Sequence, residues 1–167
     1  DVIFHRVISN FMIQSGDFEF NNGQGGYTAK WYGYCNGKTT NSNGEDYNAD
    51  NCPLSQWSLP GEHTNGLKHK EGSLAAAHAG LNTDGSQFYI VPSGDPPSHL
   101  DWTSGKDCSS QSCHTVYGTV TDGLEFIDSI SKVQTSSDKP NNDVTIRSII
   151  ITDDGVKDSD EPWYQFW

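Results

Sequence analysis

The sequence predicts a mainly β, antiparallel domain of barrel type. Three observations carry this. Gly is abundant, at 17 of 167 residues, while only 33% of residues are hydrophobic, a mix that suits short strands and many loops. Short, loosely alternating runs recur, separated by clusters of Asn, Gly, Ser and Asp. A single segment carries a convincing helical period, and no strand–helix–strand rhythm is present.

Residues 1–8, DVIFHRVI, alternate and read as a strand; Ser9 and Asn10 form a turn signal, and Phe11 to Asp17 a second short strand. NNGQGG at 21–26 is a glycine-rich loop. A phosphate cradle would need a helix directly after it, and Tyr27 to Asn51 is polar and irregular, so nucleotide binding is rejected. The glycines serve positive φ and close backbone approach instead. Residues 32–63 are insertion-like, and NSNGEDYNADN at 41–51 lacks EF-hand spacing and reads as a solvated loop rather than a calcium site. Residues 72–79, GSLAAAHA, and 86–92, SQFYIVP, flank the turn GLNTDG. Residues 94–113 form a second polar loop, and HTVYGTV at 114–120 a strand. Asp122 and Glu125 have capping-box spacing and open a helix with Leu124, Ile127, Ile130 and Val133 on one face. VTIRSIIIT at 144–152 is the last strand.

A chain of 167 residues suits one domain with a sizeable core. The formal net charge of −12 argues against nucleic acid and anionic membrane surfaces, which call for basic patches. No apolar run approaches the roughly 18–20 residues of a membrane span. The chain starts with Asp1 inside a strand-like segment, so more chain is expected upstream and the absence of a leader says nothing about location. Cys35, Cys52, Cys108 and Cys113 all lie in polar stretches. Free thiols prefer burial, so two disulfides and an oxidising compartment are expected: secreted, periplasmic or cell-surface. Cys35–Cys52 with Cys108–Cys113 is the simplest of the three pairings. A zinc site is the competing reading, and no C-x-x-C pair supports it.

Several segments, in order, resemble one family. FHRVISNFMIQSGDF, NNGQGG, GLKHKEGSLAAAHAG, NTDGSQFYI, HLD and HTVYGTVTDGLEFIDSI are similar to cyclophilins, the peptidyl-prolyl cis–trans isomerases. The likeness runs from residue 2 to about 155, apart from the two polar insertions, and its phrasing around NGLKHKEGSLAAAHA is nearer to prokaryotic and divergent members. It implies a cyclophilin-like domain over 1–155 with insertions at about 32–63 and 94–113, and an acidic and aromatic tail at 156–167. The family fold is a closed antiparallel barrel with helical caps. Its first two strands and first helix precede the FHR motif, so the resemblance implies that this chain lacks them. The tail, with Trp163, Tyr164, Phe166 and Trp167, is one candidate to cover the gap.

The resemblance also explains why Arg6, Phe11, Met12 and Gln14 stand together. Rotation about a peptide bond meets a barrier of about 18–20 kcal/mol, because the nitrogen lone pair is delocalised into the carbonyl. An X–Pro rotamase needs no nucleophile, metal or cofactor. It must hold the ring, anchor the backbone and stabilise a twisted amide. By resemblance, Arg6 is the catalytic arginine, donating toward the prolyl nitrogen. Phe11, Met12, Tyr89 and Leu100 wall the proline pocket. Gln14 binds substrate backbone and helps orient the arginine, and Ala77, His78 and Ala79 match the strand whose backbone pairs with the peptide. Gln87 and His114 stand at the rim, and Gly23 lines the neighbouring groove. His5, His63 and His69 take no role in this reading.

Three departures from the family pattern stand out. Tyr89 replaces a usual Phe, and its hydroxyl needs a partner or water at the pocket floor. His99 stands where many members carry a Trp that packs on cyclosporin, so weak binding of that drug is expected, with Trp102 as a substitute if the loop folds back. His78 replaces an Asn used mainly through its backbone. Both insertions are expected to be stapled loops that shape access to the groove. The first reading is therefore an isomerase acting on proline-containing polypeptides as a folding catalyst. The alternative is a binding module that grips such segments and turns them over poorly. A calcium-binding surface protein built on the acidic loops is a distant third.

Overall fold

The computed structural model describes residues 1–109 and 112–152. In chain order the elements are β1 (Val2–Ile3), β2 (Arg6–Ile8), β3 (Met12–Ser15), β4 (Tyr34–Cys35), β5 (Trp57–Ser58), β6 (Ser73–Ala76), β7 (Phe88–Ile90), β8 (Val116–Thr119), α1 (Leu124–Ile130), β9 (Thr135–Ser136), β10 (Lys139–Pro140) and β11 (Thr145–Ile146). Short 3-10 turns lie at Leu54–Gln56 and Ser98–Leu100. The central sheet is antiparallel with strand order β2-β3-β7-β6-β8. β1 pairs with β11, β4 with β5 and β9 with β10.

The register of the sheet sorts its side chains. Arg6 faces Gln14, Gln14 faces Tyr89, Tyr89 faces Ala75 and Ala75 faces Val116. Directly opposed residues share a face, so these five form one row across all five strands. The same face carries a buried cluster of Met12, Ala75, Tyr89, Val91, Leu100 and Val116, with Phe11 packed against it. The opposite face buries Phe4, Val7 and Ile13 against Ile127, Ile130 and Val133 of the helical segment. The mixed composition of residues 4–18 thus reflects a strand pair buried on both faces. One face packs on α1, and the other bears the groove described below.

The expected strands are present, in shorter form. The run at 1–8 divides into β1 and β2, because Phe4 bonds Val144 (N–H to O, 2.9 Å) and joins the helix-side core. The run at 144–152 keeps strand form only at Thr145–Ile146, and Ile149, Ile150 and Ile151 are exposed. The helix differs at its start. Gly123, in the left-handed region at φ 82°, is its N-cap, and no side chain caps it. Asp122 therefore does not act as the predicted cap. Pairing places Ala76 at the end of β6, so Ala77, His78 and Ala79 lie beyond the strand.

The sheet does not close into a barrel among the described residues, since β2 and β8 remain its two edges and β1 leaves to pair with β11. The β2 edge is partly covered. The turn between β9 and β10 places Ser137 and Asp138 at positive φ, and the Asp138 carbonyl accepts the Val7 N–H at 2.7 Å. The tail at 156–167 lies outside the described residues.

Both disulfides have the simplest pairing, Cys35–Cys52 and Cys108–Cys113. The first insertion is more ordered than its polar composition suggests. Its ends pair as β4 and β5, and its asparagines satisfy backbone donors locally, with Asn41 Oδ1 accepting from Asn43 and Glu45 N–H.

Candidate active site: a groove with a cation at one end

A groove of about 710 Å³ crosses the row face of the sheet. It brings together Arg6, Phe11, Met12, Gln14, Gly23, Ala77, His78, Ala79, Gln87, Tyr89, Leu100 and His114, every site residue expected from the sequence except His99. His99 is exposed and stacks on Phe11, with ring centres 5.9 Å apart. Trp102 does not line the groove; its indole faces the Lys68 ammonium, and its carbonyl accepts a bond from Lys68.

The apolar arm is preformed. Met12, Tyr89 and Leu100 are buried, and Phe11 is half-buried beside them. Such residues usually belong to the core. Here they are core and wall at once, because the row face of the sheet is the groove floor. The His114 ring meets Tyr89 edge-on at 5.5 Å and stacks on His78 at 3.9 Å. The His114 Nδ1 lies 2.8 Å from the Ala76 carbonyl, and its backbone N–H donates to the Leu100 carbonyl.

The polar arm is held by an amide relay. Gln14 Nε2 donates to Gln87 Oε1 at 2.9 Å, and Gln87 Nε2 donates to the carbonyls of Gly23 and Gly25. The structure therefore pairs Gln14 with Gln87, not with Arg6. Arg6 is held by Asp138 instead, Nε to Oδ2 at 3.5 Å. Asp138 comes from the turn that covers the β2 edge, and sequence reading missed it because the two residues are far apart in the chain. The backbone near Ala77 is also partly occupied: Ala77 N–H donates to the Gln87 carbonyl and Ala79 N–H to Thr83 Oγ1. Pairing of these two amides with a bound peptide, as expected from the sequence, would have to displace those bonds.

The glycine-rich loop forms a backbone nest filled by the protein's own carboxylate. Asp17 accepts from the N–H groups of Glu19, Phe20, Asn22, Gly23 and Gly25. Burial pushes the Asp17 carboxyl up, and the loop amides outweigh it, holding the group at about 2. A side chain at Gly25 would come within 2.6 Å of Asp17 Oδ1, which is why that position is glycine. Asn36 and Ser55 of the first insertion also line the groove, flanking the Cys35–Cys52 bridge.

Of the three histidines left without a role, His5 and His69 are buried and His63 is half-buried. His5 lines the groove, is buried, and neither of its ring nitrogens has a hydrogen-bond partner. His63 is half-buried near Asp84, and the Nδ1 of the one and the Oδ1 of the other lack partners. Burial pushes the Asp84 carboxyl up to about 6, against the opposing pull of the Tyr117 hydroxyl, His63 and Thr115. His69 lies behind the pocket wall, its Nε2 2.5 Å from the Tyr89 hydroxyl and its Nδ1 2.6 Å from Asp101 Oδ1. It is the partner that the Tyr89 hydroxyl required; sequence reading assigned His69 no role, and that requirement is the one signal that could have found it.

No group of His, Cys, Asp or Glu suited to hold a metal ion is present among the described residues. No helix among them is long and apolar enough to cross a membrane.

The family model described as cyclophilin type peptidyl-prolyl cis-trans isomerase matches residues 1–151. Peptidyl-prolyl cis-trans isomerase D of Saccharomyces cerevisiae is 34% identical over 154 residues, covering 92% of this chain and 50% of the yeast protein. Peptidyl-prolyl cis-trans isomerase cypE of Dictyostelium discoideum is 33% identical over 147 residues, covering 87% of this chain and 70% of that protein. The chain thus spans about half the length of the yeast relative.

Proposed function

The chain belongs to the cyclophilin-type peptidyl-prolyl cis–trans isomerases, and from that premise we propose that it catalyses rotation about X–Pro bonds in polypeptide substrates. The observation that carries the reading is the cross-strand row. It sets a permanent cation, Arg6, two positions from an apolar pocket and beside an amide pair.

The chemistry follows from that spacing. A proline ring seats among Phe11, Met12, Tyr89 and Leu100. Gln14 and Gln87 meet the polar backbone on one side, and His114 bounds the other. The Arg6 guanidinium then faces the amide being twisted. As the amide loses resonance its nitrogen gains a lone pair, and a donor that bonds this nitrogen favours the twisted state over both planar ones. Each tenfold of rate requires about 1.4 kcal/mol of such differential binding, which a charged hydrogen bond supplies. The fold supplies the rest as preorganisation. Asp138 fixes Arg6 by its Nε and leaves the terminal nitrogens for substrate.

The same ion pair supports the second reading, a weakly catalytic binding module, if Asp138 holds Arg6 back from the amide. A protease-coupled assay with an X–Pro peptide decides between them. Arg6→Ala is expected to lower kcat/KM by about 100-fold or more, in line with loss of a charged transition-state donor. Equal rates for the two chains would leave only the binding module.

On location and scope, two disulfides support an oxidising, extracytoplasmic setting. The proposed domain covers 1–155, with stapled insertions at 32–63 and 94–113 that shape access and a separate tail at 156–167. The exposed His99 at the pocket mouth supports weak cyclosporin binding.

A further inference from the structure

Behind the apolar wall, three buried side chains form one hydrogen-bonded line. The Tyr89 hydroxyl meets His69 Nε2 at 2.5 Å, and His69 Nδ1 meets Asp101 Oδ1 at 2.6 Å. The same carboxylate oxygen accepts the His69 backbone N–H at 2.9 Å, which fixes it as an acceptor on the Nδ1 side. The His69 and Tyr89 rings lie 5.7 Å apart and 1° from parallel. The His69 side chain is fully buried.

The line has a direction. Asp101 only accepts, so His69 carries its proton on Nδ1, and Nε2 is left to accept the phenol O–H. Burial pushes the phenol well above the ordinary tyrosine range, so Tyr89 is not an activated nucleophile despite its serine-triad-like connections. Its ring lines the groove while its hydroxyl is turned back into the protein, so the pocket meets hydrocarbon where the polar group would otherwise face it. Asp101 is next to Leu100, which packs in one cluster with Tyr89, and Lys106 bonds the carbonyls of Asp101 and His99. The line therefore ties the pocket floor on β7 to the loop that carries Leu100.

We propose that His69 and Asp101 are positioning residues for the ring pocket: through the Tyr89 hydroxyl they keep its floor apolar and thereby set its affinity for a proline ring. The inference rests on the reading of this groove as a proline pocket. Protonation of His69 reverses the line. An imidazolium donates from both nitrogens, so the Tyr89 oxygen must accept and its own proton leaves the line for the apolar cluster that Tyr89 belongs to. A donor stranded among apolar groups weakens ring binding. The charged and titratable groups facing His69 are Asp101, His99 and Lys106 from the loop and Tyr89 from β7, with Asp84 acting on Tyr89 and the His114 ring meeting it edge-on. Burial lowers the His69 pKa more than Asp101 raises it, so the reversal falls on the acid side of neutrality.

The test measures kcat and KM for an X–Pro peptide, and its Kd by calorimetry, from about pH 5 to 8 with the full chain. In wild type, KM and Kd rise several-fold on acidification while kcat holds, the signature of lost uniform binding. Tyr89→Phe raises neither on acidification, and His69→Leu raises both by about threefold to tenfold at neutral pH. His69→Gln, which still donates and accepts but does not titrate, retains neutral affinity and loses the acid limb. An acid limb that persists in His69→Gln overturns the proposal, as does a His69 whose 15N shifts show Nε2 protonated at neutral pH. A wild-type chain that binds the peptide without turning it over overturns the catalytic reading alone, because the Kd profile still decides this one.

Discussion

Asp84 is the residue whose charge costs the fold most visibly. It is 1% exposed, its Oδ1 is unpartnered, and its carboxyl is pushed up to about 6 by burial. A raised carboxylate pKa means that the folded state holds a proton the unfolded chain has already lost. Stability on this account is greatest below the unfolded value near 4 and falls as pH rises through about 6. Asp84→Asn keeps an acceptor for the Tyr117 hydroxyl, which lies 3.2 Å from Oδ2, and removes the charge. It is expected to stabilise the protein by about 2–3 kcal/mol at pH 7.5, with the gain vanishing near pH 4. Urea unfolding at several pH values checks this, and a gain independent of pH would show that the charge is not the cause. Asp17 is the opposite case, a buried carboxylate fully supplied with donors.

At the scale of elements, the insertions show where sequence reading succeeded and where it stopped. The strands of the central sheet were legible because alternation and turn residues are local signals, but their order in the sheet and the β9–β10 pair were not, because both depend on long-range pairing. The disulfides were legible because local loop closure favours one pairing. The β4–β5 hairpin was not, since two-residue strands in a polar run have no periodicity to read. The chemistry of the groove was readable wherever a single residue type announces a need, as with Arg6 or the Tyr89 hydroxyl. The partners that satisfy those needs, Asp138 and the pair His69 and Asp101, lie 132 residues from Arg6 in the first case and 20 from Tyr89 in the second, taking His69 as the contact. Only pairing register and loop packing bring them into reach. The helix cap failed for a related reason: spacing suggested Asp122, but a left-handed Gly123 set the chain direction first. The Cys35–Cys52 bridge carries its own expectation. It closes a separation of 17 residues, and replacing both cysteines by Ser should cost about 3 kcal/mol of stability. Because Asn36 and Ser55 beside it line the groove, KM should also rise for peptides extended beyond the X–Pro pair and stay level for short ones. Equal KM changes for short and long peptides would show that this loop does not contact substrate.

For the whole molecule, the balance of charge is the dominant feature. A formal net charge of −12 surrounds a groove whose lining, among the described residues, carries Arg6 and Lys139 but only Asp138 as an acid. Long-range attraction therefore favours cationic chains, while the groove itself is nearly neutral. An X–Pro peptide flanked by Lys is expected to show a several-fold lower KM than one flanked by Glu at low salt. The difference should collapse by about 0.5 M salt, where screening is complete within a few ångströms. A gap that survives high salt would place the preference in direct contacts instead. The cross-strand row has a further consequence, for how this protein can change over time. Because Arg6, Gln14, Tyr89 and Ala75 lie on one line through four strands, gaining or losing a single residue within β3 or β7 would scatter them at a stroke. The two disulfide-stapled connections carry no such constraint, whereas the β2–β3 turn sets its hairpin's register and the Gly23–Gly25 stretch is tied to the row through Gln87. The molecule is thus divided into a fixed instrument and exchangeable fittings: new preferences can be acquired by lengthening, stapling or swapping the inserted loops, with the cross-strand row left untouched.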